Sequence, residues 1–208
     1  MKSKFTLALC IIALALVALP ASATSIIFDN SGPGWNDRTF RGAGYDPGTH
    51  ISGVATNTTI TGFEVLNHMG TAGNLKFLIF DHSTHALLYS SAAQAFLADL
   101  GGDSWKASSA FSFTLLAGSQ YDIGVIADVA LDAPYRCCGG SYTQNGITSF
   151  GDNANFLDFA NPFQLGHAFT DVGLRLLADD QQSVPEPATL MLLGSGLAGL
   201  LLRRKRAA

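Results

Sequence analysis

Charged side chains are scarce in this sequence of 208 residues. Asp, Glu, Lys and Arg make up 13% of it, against about 25% in an average soluble domain, while 48% of the residues are hydrophobic. An intrinsically disordered chain needs low hydropathy and high charge, so this composition excludes one. It also argues against an ordinary cytosolic enzyme.

Motifs that would identify a catalytic site are missing too. The sequence contains no Gly-x-Ser-x-Gly nucleophile elbow and no phosphate-binding P-loop. Glutamate occurs only at Glu64 and Glu186, and no pair of aspartates stands out as the two carboxylates of a glycosidase. We therefore predict that the protein is not an enzyme, and a secreted hydrolase is the less favoured alternative.

Positive charge is sparse in the middle of the chain. Residues 24–183 include six basic and fifteen acidic residues, which gives a net charge of −9. Nucleic-acid binding requires a basic patch that meets the phosphates. We therefore expect no nucleic-acid partner.

The N-terminus has the pattern of a secretory signal peptide. Two lysines precede an apolar run at residues 5–19, Pro20 ends the run, and Ala21 and Ala23 occupy the small positions of a small-x-small cleavage site. A permanent membrane anchor needs about 20 apolar residues, and this run has 15. The pattern predicts a signal helix within residues 1–23 that is removed after Ala23.

The C-terminal tail begins with a proline-containing motif formed by Val184, Pro185, Glu186 and Pro187. Proline denies the backbone helix and ladder hydrogen bonds, so this motif stays extended and accessible to a processing enzyme. The apolar run at residues 188–202 follows, and as a helix it spans about 22 Å, which is short for a membrane core of about 30 Å.

Four cations follow that run, namely Arg203, Arg204, Lys205 and Arg206. Positive residues next to a membrane span stay in the cytoplasm. The sequence therefore predicts a single C-terminal transmembrane helix with the preceding domain on the periplasmic side.

In their order and spacing, these three elements of the tail resemble the PEP-CTERM sorting signal of Gram-negative bacteria, and the resemblance covers residues 184–208. It implies that an exosortase, a transpeptidase-like enzyme of the inner membrane, recognises the motif and processes the protein. It also implies a cell-surface or extracellular-matrix protein associated with exopolysaccharide and biofilm. A plain tail anchor is the alternative.

Apolar and polar residues alternate at residues 111–115, 121–127 and 172–176, and this pattern predicts an all-β ectodomain at residues 24–178. Further strands are predicted at residues 26–29, 59–66, 75–80, 86–90, 146–150 and 155–159. This pattern favours an antiparallel β-sandwich, jelly-roll-like in type. Residues 179–183 are a polar spacer before the sorting signal at 184–208.

Three segments of the ectodomain carry more specific expectations. Residues 75–80 are apolar on both faces, which predicts a central strand. Residues 91–100 are rich in Ala, which predicts a helical stretch. Residues 117–120 are predicted to join two neighbouring strands as a tight hairpin.

Cys137 and Cys138 are adjacent in a domain that we expect to be exported, where oxidation is favoured. Adjacent cysteines can close a strained ring with a Cα separation of about 3.8 Å, below the usual disulfide range. The sequence leaves two interpretations: a disulfide, structural or redox-active, or two small hydrophobic residues in a loop.

His82 and His85 have a spacing that occurs in metal sites. Zinc catalysis typically needs such a pair on a helix together with a third ligand, but this pair lies in a predicted turn. We interpret it as part of a solvated polar turn and predict no metal site there.

Loop aspartates are the candidates for binding Ca²⁺, which takes oxygen ligands. They are Asp128, Asp132, Asp152 and Asp158. No run matches an EF-hand, so a solubilising role is the favoured interpretation and we predict no required cofactor.

Loop aromatics are the candidates for binding sugars, because exposed rings often stack on sugar rings. They are Trp35, Trp105, Tyr135 and Tyr142. A carbohydrate-binding module is therefore the alternative function of the ectodomain, while rings that anchor loops to the core are the structural alternative.

These predictions describe one pathway. The precursor is exported, anchored in the inner membrane facing the periplasm, processed by an exosortase-like enzyme, and then located at the cell surface or outside the cell. Its expected partners are that enzyme, the inner membrane and exopolysaccharide.

Overall fold

The computed structural model describes residues 24–31, 37–137, 140–151, 153–168 and 170–179. The predicted signal peptide (1–23), most of the spacer and the sorting signal (184–208) lie outside this part of the chain, as do Trp35, Cys138 and Asp152. Thr24–Asp179 clusters as one compact unit.

Strands are the regular structure of the described residues, which include no helix and therefore none that could cross a membrane. The strands are β1 (Thr24–Asp29), β2 (Asp37–Arg41), β3 (Tyr45–Val54), β4 (Thr58–Ile60), β5 (Gly62–Asn67), β6 (Gly73–Asp81), β7 (Leu87–Ser90), β8 (Gln94–Phe96), β9 (Ser104–Ala107), β10 (Phe113–Leu115), β11 (Tyr121–Ala127), β12 (Leu131–Cys137), β13 (Ser141–Gln144), β14 (Ile147–Phe150), β15 (Asn153–Leu157), β16 (Phe163–Ala168), β17 (Thr170–Val172) and β18 (Leu174–Asp179). The prediction of an all-β ectodomain is confirmed.

Two antiparallel sheets dominate the architecture. The smaller sheet has the strand order β1-β18-β5-β9, and the larger sheet follows the path β13-β14-β3-β11-β6-β7. The β15–β16 pair joins the larger sheet at β3, and β8 joins it at β6. Two short sheets, β10-β4 and β17-β12-β2, complete the set. The arrangement is consistent with the predicted sandwich.

One hydrophobic core joins the two main sheets. Phe28, Phe63 and Leu176 come from the smaller sheet, and Phe77 and Ile123 come from the larger sheet. Because successive side chains of a strand point to opposite faces, every second residue of β6 and β11 faces this core. Burying this apolar surface on both sheets is the main force that holds them together.

The larger sheet is also covered on its opposite face. Leu78 and Phe80 of β6, Ile126 of β11, and Ala154 and Phe156 of β15 form a second buried cluster. All seven residues of β11 are buried. β6 lies between β11 and β7, so the prediction of a central strand at residues 75–80 is confirmed.

Two glycines allow the β15–β16 pair to approach this outer face. Gly48 of β3 and Gly124 of β11 are register partners. A Cβ at Gly124 would lie 2.8 Å from the Phe156 ring and 2.7 Å from the Gly48 Cα, and a Cβ at Gly48 would overlap the same ring. The glycine pair therefore leaves the space that Phe156 fills.

The predicted helix at residues 91–100 is wrong. The segment contains the short strand β8, which pairs with β6, and Phe96 packs against Phe77 with ring centroids 6.2 Å apart. Helix propensity amounts to only a fraction of a kcal/mol per residue. Sheet pairing and burial of Phe96 outweigh it.

The predicted tight hairpin at residues 117–120 is also wrong. β10 pairs with β4, whereas β11 pairs with β3 and β6. Gly118 has a φ of 75°, and its amide donates to the Val54 carbonyl at 2.9 Å. The turn therefore carries the chain from one sheet into another and does not fold it back on itself.

Candidate functional site

Four polar side chains meet on the outer face of the larger sheet. His50 of β3 and Asp122 of β11 are register partners, and their neighbours Ile51 and Ile123 belong to the main core. Side-chain alternation therefore turns His50 and Asp122 to the opposite face. His82 follows the last residue of β6, and Gln164 comes from β16.

The two imidazole rings and the carboxylate are in direct contact. The His50 and His82 rings are stacked with centroids 3.7 Å apart and an interplanar angle of 3°. His82 Nδ1 lies 3.0 Å from Asp122 Oδ2 and 3.2 Å from Oδ1. Gln164 Nε2 donates to Asp122 Oδ2 at 2.7 Å. These contacts fix the position of each group relative to the others.

The site is closed on most sides. Asp122 is 0% exposed, Gln164 5% and His50 6%, whereas the His82 side chain is 19% exposed. A buried carboxylate is costly unless it is hydrogen-bonded, and Gln164 and His82 provide such bonds. Solvent reaches the group from the His82 side.

A tight turn positions His82. Asp81 Oδ1 accepts hydrogen bonds from Ser83 Oγ at 2.7 Å and from the Thr84 amide and Oγ1, both at 2.8 Å. These bonds, led by that of the Ser83 hydroxyl, lower the pKa of Asp81 from 3.8 to about 2. The His82 amide also donates to the Gln120 carbonyl at 3.2 Å.

The structure separates the two histidines of the predicted turn. His85 is exposed and has a φ of 57°, whereas His82 contacts His50 and Asp122. Within the described residues, His50, His82 and Asp122 form a group whose ligand atoms all lie within 4.8 Å of one another. Local spacing thus singled out His82 together with His85, and the interpretation as a solvated polar turn missed the contacts of His82 with His50 and Asp122.

The other site residues were missed because they belong to distant strands. Asp122 was interpreted as the polar position of an alternating run, although all seven residues of β11 are buried. A single carboxylate flanked by Tyr121 and Ile123 was the one available signal. Nothing local to His50 or Gln164 distinguished either residue.

The described candidate aromatics for sugar binding all contact other parts of the protein. Trp105 of β9 lies under Arg175, whose guanidinium carbon is 3.9 Å from the ring centroid. Tyr142 packs edge-on against Phe28 with centroids 5.8 Å apart, and Tyr135 packs against the main core. Sugar binding by these residues stays a prediction.

The described candidate aspartates for Ca²⁺ lie at separate local turns or bridges. Asp128 accepts from the amide and the side chain of Asn74 at 2.7 and 2.6 Å, and these bonds lower its pKa. Asp158 accepts from the amides of Ala160 and Asn161. Asp132 forms a backbone bridge with His68.

The adjacent cysteines fall at the edge of the described structure. Cys137 is the last residue of β12, and Cys138 lies beyond the described residues. The disulfide between them stays a prediction.

Comparison with protein-family models identifies the PEP-CTERM protein-sorting motif at residues 183–206. The match includes Pro185, Glu186 and Pro187 and extends through the apolar run to Arg206, so the resemblance found in the tail is confirmed. The motif marks the chain as an exported, membrane-anchored precursor that an exosortase processes. A search of curated proteins finds no match to the chain.

Proposed function

We propose that this protein is a non-enzymatic component of the cell surface or extracellular matrix, delivered there by its PEP-CTERM signal. The observation that carries the proposal is the sorting motif at residues 183–206, which begins four residues after the end of a compact all-β unit at Asp179. A motif of this kind makes the chain the substrate of a processing enzyme.

The N-terminal and C-terminal segments of the chain define its export route. Residues 1–23 form a signal helix that is cleaved after Ala23, and residues 188–202 form the transmembrane helix that holds the precursor in the inner membrane. The four cations at 203–206 stay in the cytoplasm, so the β domain faces the periplasm before processing. The mature protein then moves to the cell surface or the surrounding matrix.

The β domain is the part that functions outside the cell. We assign it a sandwich of the jelly-roll type and a structural association with exopolysaccharide in a biofilm. Removal of both ends takes away six of the twelve basic residues of the chain. The mature domain keeps a net charge of −9 over residues 24–183, which favours solubility in the matrix.

The test replaces the three central motif residues together: Pro185→Ala, Glu186→Ala and Pro187→Ala. Because alanine lets the motif adopt helical backbone and removes the carboxylate, the exosortase loses its recognition site. The variant is expected to accumulate as unprocessed precursor in the inner membrane. Cell fractionation and mass spectrometry of each fraction measure this.

A matched control carries Asp180→Ala, Gln181→Ala and Gln182→Ala in the adjacent spacer. It also has three alanines near the same span and is expected to mature like the wild type. Normal maturation of the motif variant would refute the sorting proposal.

A further inference from the structure

We propose that His50, His82 and Asp122 form a binding site for one divalent transition-metal ion, and that Zn²⁺ is the ion that fits best. The site is separate from the sorting signal and is built entirely within the β domain.

The donor atoms indicate the class of metal. Two imidazole nitrogens and one carboxylate oxygen suit Zn²⁺ and neighbouring first-row ions. Ca²⁺ and Mg²⁺ prefer sites made of oxygen ligands, so two histidines disfavour them. The three residues contribute no thiolate, which disfavours Cu(I) and iron–sulfur clusters.

The spacing of the His82 and Asp122 donor atoms agrees with this assignment, and a His50 nitrogen lies within 4.8 Å of both. Zinc ligands lie about 2.0–2.2 Å from a tetrahedral ion, which places two of them about 3.3 Å apart. His82 Nδ1 is 3.0 and 3.2 Å from the two Asp122 oxygens. An ion can therefore replace the hydrogen that joins them after a shift of only a few tenths of an ångström.

The strands bring the donors together before any ion binds. His50 and Asp122 lie opposite each other on paired strands, and preorganisation of this kind lowers the cost of binding. The two imidazole rings are stacked at an interplanar angle of 3°, whereas an ion lies in the plane of each imidazole that binds it. Binding by both histidines therefore requires one ring to rotate out of the stack.

Gln164 is a positioning residue for Asp122. Its Nε2 holds Asp122 Oδ2 at 2.7 Å, as outer hydrogen bonds commonly orient metal-ligating carboxylates. Gln164 Oε1 is buried and accepts no hydrogen bond from the described residues. Rotation of the amide would present this oxygen to the site in place of Nε2, so Gln164 can either orient Asp122 or supply a fourth donor itself.

The three side chains are buried enough to shield an ion and exposed enough to admit one. The 19% exposure of the His82 side chain leaves an entry path, while the buried Asp122 and His50 shield the ion from water. A bound ion would link the turn after β6 to β3 and β11. It would therefore raise the thermal stability of the protein, because it binds only the folded state.

The experiment uses the full chain, purified in detergent and stripped with a chelator. Zn²⁺ and Co²⁺ are titrated separately, binding is measured by calorimetry, and the visible absorption of Co²⁺ reports the ligand type. We expect one ion per chain and a higher melting temperature with Zn²⁺. The variants His82→Ala and Asp122→Asn should each lower the affinity at least tenfold, since even outer-shell changes cost about 10–100-fold.

His85→Ala is the matched control, because it removes an exposed histidine three residues from His82 and should bind like the wild type. Circular dichroism and the melting temperature without metal establish that each variant is folded. Asp122→Asn keeps the shape of the side chain, so it serves if His82→Ala is unstable.

Three results would overturn the proposal. The wild type could bind neither ion, His85→Ala could lose as much affinity as His82→Ala, or Co²⁺ could give the strong near-ultraviolet absorption of a thiolate complex. The last result would assign the metal to the cysteines. None of these results would affect the sorting proposal, because that proposal is tested by maturation of the precursor.

Discussion

Asp81 holds the turn of His82 through one carboxylate oxygen. Its Oδ1 accepts from the Ser83 hydroxyl and from the amide and hydroxyl of Thr84. Hydrogen bonds to the charged form favour it, and they lower the pKa of Asp81 to about 2. A folded pKa below the ordinary value of 3.8 means that the carboxylate stabilises the fold above pH 3.8. This contribution is lost as the pH falls through about 2.

The double variant Ser83→Ala, Thr84→Val removes two of the three bonds to Asp81. We expect the pKa of Asp81 to rise towards 3.8, and the loss of stability between pH 3.8 and 2 to become smaller than in the wild type. An NMR titration of the carboxyl carbon measures the pKa, and urea unfolding at each pH measures the stability.

Ser90→Ala serves as the control for this double variant, since Ser90 is an exposed hydroxyl that does not contact Asp81. An unchanged Asp81 pKa in the double variant would contradict the assigned cause.

The residues of the candidate site could not be predicted together from the sequence. His82 drew attention because of a local spacing, but its partners lie 32 and 40 residues away along the chain. Which strand pairs with which, and in what register, decides that His50 faces Asp122. No local pattern contains that information.

Among the elements, β3 and β11 depend on small residues where they pair. Gly48 and Gly124 lie opposite each other, and the Phe156 ring of β15 covers both. Interiors are close-packed, so an extra methyl group at such a point forces its neighbours apart. Because His50 and Asp122 lie on the same face, this packing also sets the height of the β15–β16 pair over the candidate site.

Gly124→Ala should lower the free energy of unfolding by about 1–3 kcal/mol, the usual cost of overpacking a core. Its Cβ would meet the Gly48 backbone at 2.7 Å, and backbone cannot move aside as a flexible side chain can. Urea denaturation measures the change.

Gly53→Ala on β3 is the matched control for Gly124→Ala, because its Cβ would lie 3.9 Å from the nearest atom, Thr148 Cβ. Equal effects of the two substitutions would show that the Gly48–Gly124 contact is not tight.

Strand prediction succeeded where apolar residues recur at every second position. Residues 121–127 coincide with β11, and the runs at 111–115 and 172–176 contain β10 and the start of β18. The prediction missed β3, whose ten residues include Pro47, Gly48 and Gly53, because these residues are poor strand formers in isolation. Three neighbouring strands, β11, β14 and β15, hold β3 in place. Tertiary contacts therefore compensate for weak local preference.

For the whole molecule, the last strand is a structural necessity. β18 lies between β1 and β5 in the smaller sheet, and its Leu174 and Leu176 are completely buried. Without β18, β1 loses the strand with which it pairs, β5 keeps only β9 as a partner, and the main core is open to water.

A chain that stops after Gly173 should therefore fail to fold, whereas a chain that stops after Ser183 should fold and be exported. The first is expected to be degraded by added protease within the time in which the second resists. Limited proteolysis of periplasmic extracts measures this difference. Equal resistance of the two chains would show that β18 is dispensable.

The sorting signal was the most predictable feature of the molecule. Its function lies in a continuous stretch of sequence, so residues 184–206 carry it without help from the fold. The candidate metal site is the opposite case, because its three ligands lie on three separate segments of the chain and meet only after folding.

The pairing of the first strand with the last also determines when the smaller sheet can form during export. Thr24 is the register partner of Asp179, although the two are separated by nearly the whole domain. A chain that crosses the membrane from its N-terminus delivers β1 first and β18 last. The smaller sheet can be completed only when residue 179 has emerged, at which point the apolar run at 188–202 is the next segment to enter the channel. In the proposed route, arrest of translocation by that run thus coincides with the moment at which the exported domain becomes able to close.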